Sequence, residues 1–320
     1  LGNAATAANS NNTIQGNNIK AAQNGIYISG LATTYDQNWL VTQNTIGSTS
    51  IANDKMSFRG VGVINCGNFV VSNNTINGVV STTSSSSTMT GISVFTGISN
   101  GVISGNRISD IKQVNTTGWG SNGIGLFATT TASNLTIANN FVFDVASYGY
   151  NGVSSSDNGY GIMVGTGGGY NIYFNTVNMN TNQTATTGLP AAINISSSVA
   201  TANSVNIRNN ILSNTQTVGT SRYSIYCGAA ASVLADINYN DYYYGASPNL
   251  GNIGGSDRAN LAAWQTGTGK DTKSISYQPT FTSATDLHLV NTAGANWCLN
   301  GAGTTIAGIT ADIDNDTRAT

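Results

Sequence analysis

The chain has 320 residues, with 11 Lys and Arg against 13 acidic residues, a formal charge of −2 and no Glu at all. Charged residues make up only 8%, whereas Gly numbers 38 and Asn 44. Strong helix formers are therefore scarce and turn formers abundant, which argues against a helical fold. The few scattered cations give no electrostatic footprint for nucleic acid, and no apolar run approaches the roughly 18 to 20 residues of a membrane-spanning helix.

The first ten residues, Leu1 to Ser10, are small and polar and contain neither a charged nor an apolar leader segment. They predict a processed or excised segment whose first coil needs cover. That cover is expected from upstream chain, another protein subunit, or surface or secretion machinery.

A repeat then begins. Asn recurs two residues before an apolar residue at Asn12, Asn44, Asn74, Asn106, Asn140, Asn175, Asn210 and Asn240. The intervals run from 30 to 35 residues. From the second repeat on, Val41, Val71, Ile103, Ile137, Ile172, Ile207 and Ile237 stand three residues before the Asn. A second phrase keeps phase with the first: Gly25-Ile26-Tyr27-Ile28, Gly60-Val61-Gly62-Val63, Gly91-Ile92-Ser93-Val94, Gly123-Ile124-Gly125-Leu126 and Gly161-Ile162-Met163-Val164. It weakens at Ala192 and Ser224.

Alternation of apolar with small or polar residues predicts strands with one face buried. Strands this short bury that face only by stacking on the next repeat. The residues from Ile26 to Ile225 and from Val41 to Ile237 should then form two internal ladders, in a body roughly 34 Å long at about 4.8 Å per coil. Asn suits a corner repeated in every coil, and stacked amides can bond along the axis. The fold class predicted is all-β: a right-handed, single-stranded parallel β-helix over residues 1–240, continuous with a C-terminal capping segment over 241–320.

The surplus length of each repeat falls in Ser-, Thr- and Gly-rich loops, the longest between Asn140 and Gly161. Tyr148, Tyr150, Tyr160, Tyr170 and Tyr173 lie near it. They are candidate stacking platforms for an extracellular glycan, or rings that pack the loop onto the coil. After Asn240 the pattern stops, and the Trp264 region is expected to cover the last coil, whose open edge would otherwise pair with another chain.

The repeated Asn-x-Ile and Gly-Ile-x-Ile resemble the right-handed parallel β-helix proteins of bacterial surfaces and secretions. So do Tyr239-Asn240-Asp241-Tyr242, Trp264, Pro279-x-Phe281, Asp286-Leu287-His288-Leu289 and the closing Asp312-Ile313-Asp314-Asn315-Asp316-Thr317-Arg318. The resemblance implies a three-faced coil, an asparagine ladder at one turn, and export. It implies no single activity, because the same solenoid carries pectin-degrading enzymes, polysaccharide lyases, phage tailspikes and adhesins.

Chemistry has little to work with. Hydrolysis by paired carboxylates lacks an Asp-Asp dipeptide, and the single His288 sits between two Leu as a half-buried packing residue. Asp110 and Asp144 occupy the same place in successive repeats, where they could hold Ca²⁺ or stand as hydrated surface carboxylates, the preferred reading. Asp312, Asp314 and Asp316 offer oxygen ligands for Ca²⁺ or an ion pair with Arg318 that pins the end. Cys227 falls on an apolar column, so of Cys66, Cys227 and Cys298 no disulfide framework is expected. No catalytic residue is assigned and no cofactor is required beyond optional Ca²⁺. The function expected is an exported, non-catalytic module at the bacterial cell surface, adhesive or structural, with a carbohydrate-active enzyme or glycan-binding module as the alternative.

Overall fold

The computed structural model describes residues 7–84, 86–148, 158–184, 186–292 and 294–318. The chain is an all-β parallel solenoid whose coils each contribute one strand to each of three sheets. The first sheet runs from Thr13–Gln15 to Leu234–Asn238, the second from Asn18–Ile19 to Asp241–Tyr243, and the third from Asn24–Ser29 to Gly251–Ile253, where an antiparallel strand, Ser256–Arg258, closes its edge. The expected inner columns are in register. Ile26, Val61, Ile92, Ile124, Ile162, Ile193 and Ile225 pair in the third sheet. Val41, Val71, Ile103, Ile137, Ile172, Ile207 and Ile237 pair in the first. All but Ile26 are fully buried in one continuous apolar core. At roughly 1.5–3 kcal/mol for each buried aliphatic side chain, these columns are the main drive for stacking.

The corner between the first and second sheets carries the ladder. From Asn44 to Asn210, each Nδ2 donates to the Oδ1 of the Asn one coil on, at 2.9 to 3.0 Å. Each backbone N–H donates to that same oxygen. The second Nδ2 proton goes back to a carbonyl of the preceding coil, as from Asn106 to Val71 at 2.9 Å. Every polar atom of the buried amide is thus matched.

The left-handed residue of this corner is not the ladder Asn but its predecessor. Gln43, Asn73, Gly105, Asn139, Phe174, Asn209 and Tyr239 all have φ between 54° and 66°. Asn, Gly and even Phe hold the position because the ladder bonds on either side fix it.

The first rung differs from the sequence expectation. Asn12 is not in the ladder; its Nδ2 only reaches the Ser10 carbonyl, at 3.4 Å. Asn17 takes the place, donating from N and Nδ2 to Asn44 Oδ1 at 2.9 and 3.0 Å. The reason is register: Ile14 pairs with Val41 and Ile19 with Ile46, so Asn12-Thr13-Ile14 is an entering strand that imitates the corner phrase. Of the N-terminal stretch expected to need cover, residues 1–6 lie outside the described residues, while Asn9 and Ser10 bond to Asp36 and Gln37 of the next coil.

The glycine column has a steric cause. A Cβ on Gly91 would stand 2.5 Å from both the Gly123 carbonyl oxygen and Ile108 Cγ2, so bare backbone is what lets the second and third sheets meet.

At the far end the ladder is closed. Asn240 donates from its backbone N–H to Ser274 Oγ at 2.8 Å, and from Nδ2 to the Ile207 carbonyl and Tyr242 Oη. Asp271 accepts from Tyr242 Oη at 2.6 Å, Trp264 Nε1 at 2.7 Å and Ser274 Oγ. Burial, only partly countered by these three donors, pushes its carboxyl above the ordinary range. The helix Leu261–Thr268 starts on an Asn260 cap and sets Trp264, fully buried, over this end.

Only part of the expected capping segment stays there. From Tyr277 the chain turns back and lies along the outer face of the second sheet as a strap. Asn180 bonds Ala284, Asn209 bonds Thr304, and Asn139 bonds both Ala311 and Arg318. Leu287 packs with Phe141 and Phe143, giving the outward aromatics of the middle coils a partner.

Replacing Asn106 with Ala should lower unfolding stability by roughly 3–5 kcal/mol, because several buried donors and acceptors lose partners together. Asn12→Ala should change it by less than about 0.5 kcal/mol, because this half-buried side chain lies outside the ladder and makes only a long bond to the Ser10 carbonyl. Equilibrium urea unfolding of the two variants checks the contrast.

Candidate functional site

A groove of about 660 Å³ on the outer face of the second sheet, beside the strap residue Thr285, is lined by Lys55, Arg107, Asp110, Lys112 and Asp144. Its floor is built by repetition. Gly78, Asp110 and Asp144 follow one another in register, each with positive φ of 68°, 52° and 53°. The left-handed turn lifts the two carboxylates onto the same side of successive coils, as the spacing in the sequence implied.

Both carboxylates are engaged by lysine ammonium groups. Lys112 Nζ lies 3.0 Å from Asp110 Oδ1 and 2.7 Å from Asp144 Oδ2, and Lys55 Nζ lies 2.7 Å from Asp110 Oδ2. Thr181 Oγ1 donates to the remaining Asp144 oxygen. The Asp110 side chain is only 8% exposed, so the network is sheltered rather than a loose surface pairing. Burial alone would lower the Lys112 ammonium, but the hydrogen bonds and charges of Asp144 and Asp110 outweigh it and hold its pKa above the usual value. The reading of these residues as solvated aspartates is corrected accordingly.

The strap side of the face carries the second charge cluster. Arg107 Nη2 lies 3.0 Å from Asp314 Oδ1. The His288 ring packs edge-on against Phe141, with Nδ1 against Asp286 and Nε2 2.6 Å from Asp314 Oδ2. The half-buried packing role expected for His288 agrees with this contact. As an imidazolium, the ring would face both carboxylates.

Asp312, by contrast, turns its Oδ1 to the backbone N–H groups of Asp314 and Asp316, at 2.9 and 3.0 Å. Asp312, Asp314 and Asp316 therefore do not converge. Among the described residues, no group of three His, Cys, Asp or Glu side chains is placed to hold a metal ion. The other alternative, an ion pair of Arg318 with these aspartates, is not formed either: Arg318 stacks on Phe174, 3.8 Å from the ring centroid, and donates to Asn139 Oδ1 at 2.7 Å.

The tyrosines proposed as sugar platforms are largely internal. Tyr170 is fully buried in the coil core, donating to the Thr166 carbonyl at 2.6 Å and accepting from Ala128 N. Tyr160 is fully buried in a separate cluster with Met163, Ala191 and Tyr223. Tyr173, 6% exposed, lies under the Arg208 guanidinium. These three present no open ring face, because each has packed against its own coil. Tyr148 is half-buried at the sheet edge, and Tyr150 lies outside the described residues.

The cysteines Cys66 and Cys227 are buried, with thiols pushed up to about 12 by that burial, and Cys298 is exposed; all three are free.

One titratable group here was not singled out by its sequence. Asp241, 3% exposed, begins the last strand of the second sheet beneath the strap. Its Oδ1 accepts from the Tyr277 backbone N–H at 2.8 Å, and its Oδ2 has no partner. Burial pushes this carboxyl up to about 7, against the smaller opposing effect of backbone N–H donors.

No family model, curated protein or solved structure matches this chain.

The fold thus holds a proton on Asp241 that the unfolded chain releases above its ordinary 3.8. This contribution to stability is complete below about pH 4 and is lost as the pH rises to about 7. Thermal melts of the native chain and of Asp241→Asn between pH 4 and pH 8 check it. The variant should gain on the native chain as pH rises, and a gap that stays flat would show that the carboxyl ionises normally.

Proposed function

We propose that this chain is an exported, non-catalytic β-solenoid module with an adhesive or structural role at the bacterial cell surface. The reading starts from the charges of the lateral groove. Lys55, Lys112, Asp110 and Asp144 neutralise one another through direct contacts, and Arg107 and His288 hold Asp314 of the strap. Acid–base cleavage of a polysaccharide asks for a carboxylic acid and a carboxylate set apart across the scissile bond. Lyase chemistry asks for a base beside a group that neutralises the uronate. The four groups in this groove serve instead to bind adjacent coils together.

The rest of the molecule suits a mechanical part. A ladder with matched amides and a single uninterrupted core make a stiff rod, and an Asn-, Thr- and Ser-rich exterior with a net charge of −2 keeps it soluble without strong attraction to polyanions.

The experiment is incubation of the purified chain with polygalacturonate, alginate, xylan and cellulose, together with antibody labelling of intact source cells. The account expects surface labelling and no product above background. Product formation at about 1 s⁻¹ or faster, within the usual range of enzymes, would contradict the non-catalytic reading.

A further inference from the structure

Beside the third sheet runs a strip of partly exposed aromatic side chains, of which Phe58 also packs against the coil core and Phe127 against the Tyr160 cluster. It begins at Tyr27, which is 48% exposed. The Tyr27 ring lies against the bare backbone of Gly62, its register partner one coil on, where a Cβ would come within 2.5 Å of the ring. The Arg59 guanidinium follows, 5.6 Å from the Tyr27 ring, 4.3 Å from Phe58 and 4.8 Å from Phe95. Phe95 is in turn near-parallel to Phe127, with centroids 6.0 Å apart and planes 14° apart. Phe127 rests against Gly125 and Gly165. Phe58, Phe95 and Phe127 all remain partly exposed. The strip therefore crosses four successive coils, about 14 Å at 4.8 Å per coil.

Two features indicate what this strip would hold. Its only cation is enclosed by rings and engaged by Thr90 Oγ1 and Asn24 Oδ1, both at 3.3 Å. At 9% exposure and with these donors engaged, the guanidinium is a poor point attractor for a carboxylate. The rings themselves, backed by Gly62, Gly125 and Gly165, offer flat apolar faces. An uncharged ligand with weakly polar C–H faces fits both.

We propose that the strip from Tyr27 to Phe127 is a binding site for a neutral glycan, about three pyranose units long. The proposal rests on the surface-module reading and specifies what the module holds. Sugar rings lie with their C–H faces on the electron-rich faces of the aromatic rings. Of the tyrosines around the longest loop, only the buried Tyr160 adjoins the site, in the cluster that supports Phe127.

Titration calorimetry of the full chain with cellohexaose, xylohexaose and mannohexaose tests this, with hexagalacturonate as the charged comparison. At least one neutral hexasaccharide should bind saturably and more tightly than hexagalacturonate. Tyr27→Ala should weaken that binding up to about tenfold, Tyr27→Phe should restore it, and Tyr148→Ala should leave it unchanged. Tyr27 is exposed, so its variants should melt as the native chain does, which separates lost contact from lost fold. Binding to hexagalacturonate alone, no binding to any hexasaccharide, or undiminished binding by Tyr27→Ala would overturn the proposal. Intact cells that label with antibody while no hexasaccharide binds would overturn the glycan site and leave the surface role standing.

Discussion

An asparagine amide that bonds to its copy one coil away does two things at once. It satisfies buried polar atoms at a corner that has no sheet partner of its own, and it makes each coil the template for the next. From Asn17 to Asn240 the repeat must bring an Asn back to the same place, because one missing amide leaves its neighbours' donors without acceptors. The parallel register and the left-handed residue before each Asn follow from that closure, while the inner columns supply the drive for stacking. Loops between the second and third sheets can vary freely, since none of them carries the ladder.

The same stacking rule shapes the surface. A residue repeated at one position of successive coils is held about 4.8 Å from its copy, so like charges must be separated by opposite ones. Lys112 between Asp110 and Asp144 meets that requirement, and Lys55 meets it from the other side. On the third sheet the repetition is of rings and glycines: Tyr27 lies on Gly62, and Phe127 on Gly125 and Gly165. One architecture therefore gives a sheltered, self-neutralised face beside the strap and, on another side, an aromatic face whose single Arg59 is enclosed by rings.

What could be read from the sequence was whatever repeats. The inner columns, the ladder from Asn44 onward and the core place of Cys227 follow from period and phase alone. The first rung was misplaced because Asn12-Thr13-Ile14 imitates the corner phrase; the rule of an apolar residue three positions earlier, carried back one repeat, points to Ile14 and Asn17. The path of the strap was not legible. Its contacts, such as Arg107 with Asp314, join residues 207 apart and recur nowhere else. Nor could composition separate a buried ring from an exposed one: Tyr160 and Tyr170 are internal, while Tyr27 is open. Glycine at Gly62 and Gly125, outward in the same column as Tyr27, was the available sign that rings need room on that face.

The central claim is that the ladder is the last structure to open. Native-state hydrogen exchange tests it directly, by following the backbone amides of Asn44, Asn74, Asn106, Asn140, Asn175 and Asn210, each of which donates to a ladder oxygen. The account predicts that these amides exchange only through global unfolding and share one opening free energy, with strap amides such as Tyr277 exchanging sooner. Ladder amides that exchange through local openings, while the strap stays protected, would contradict it.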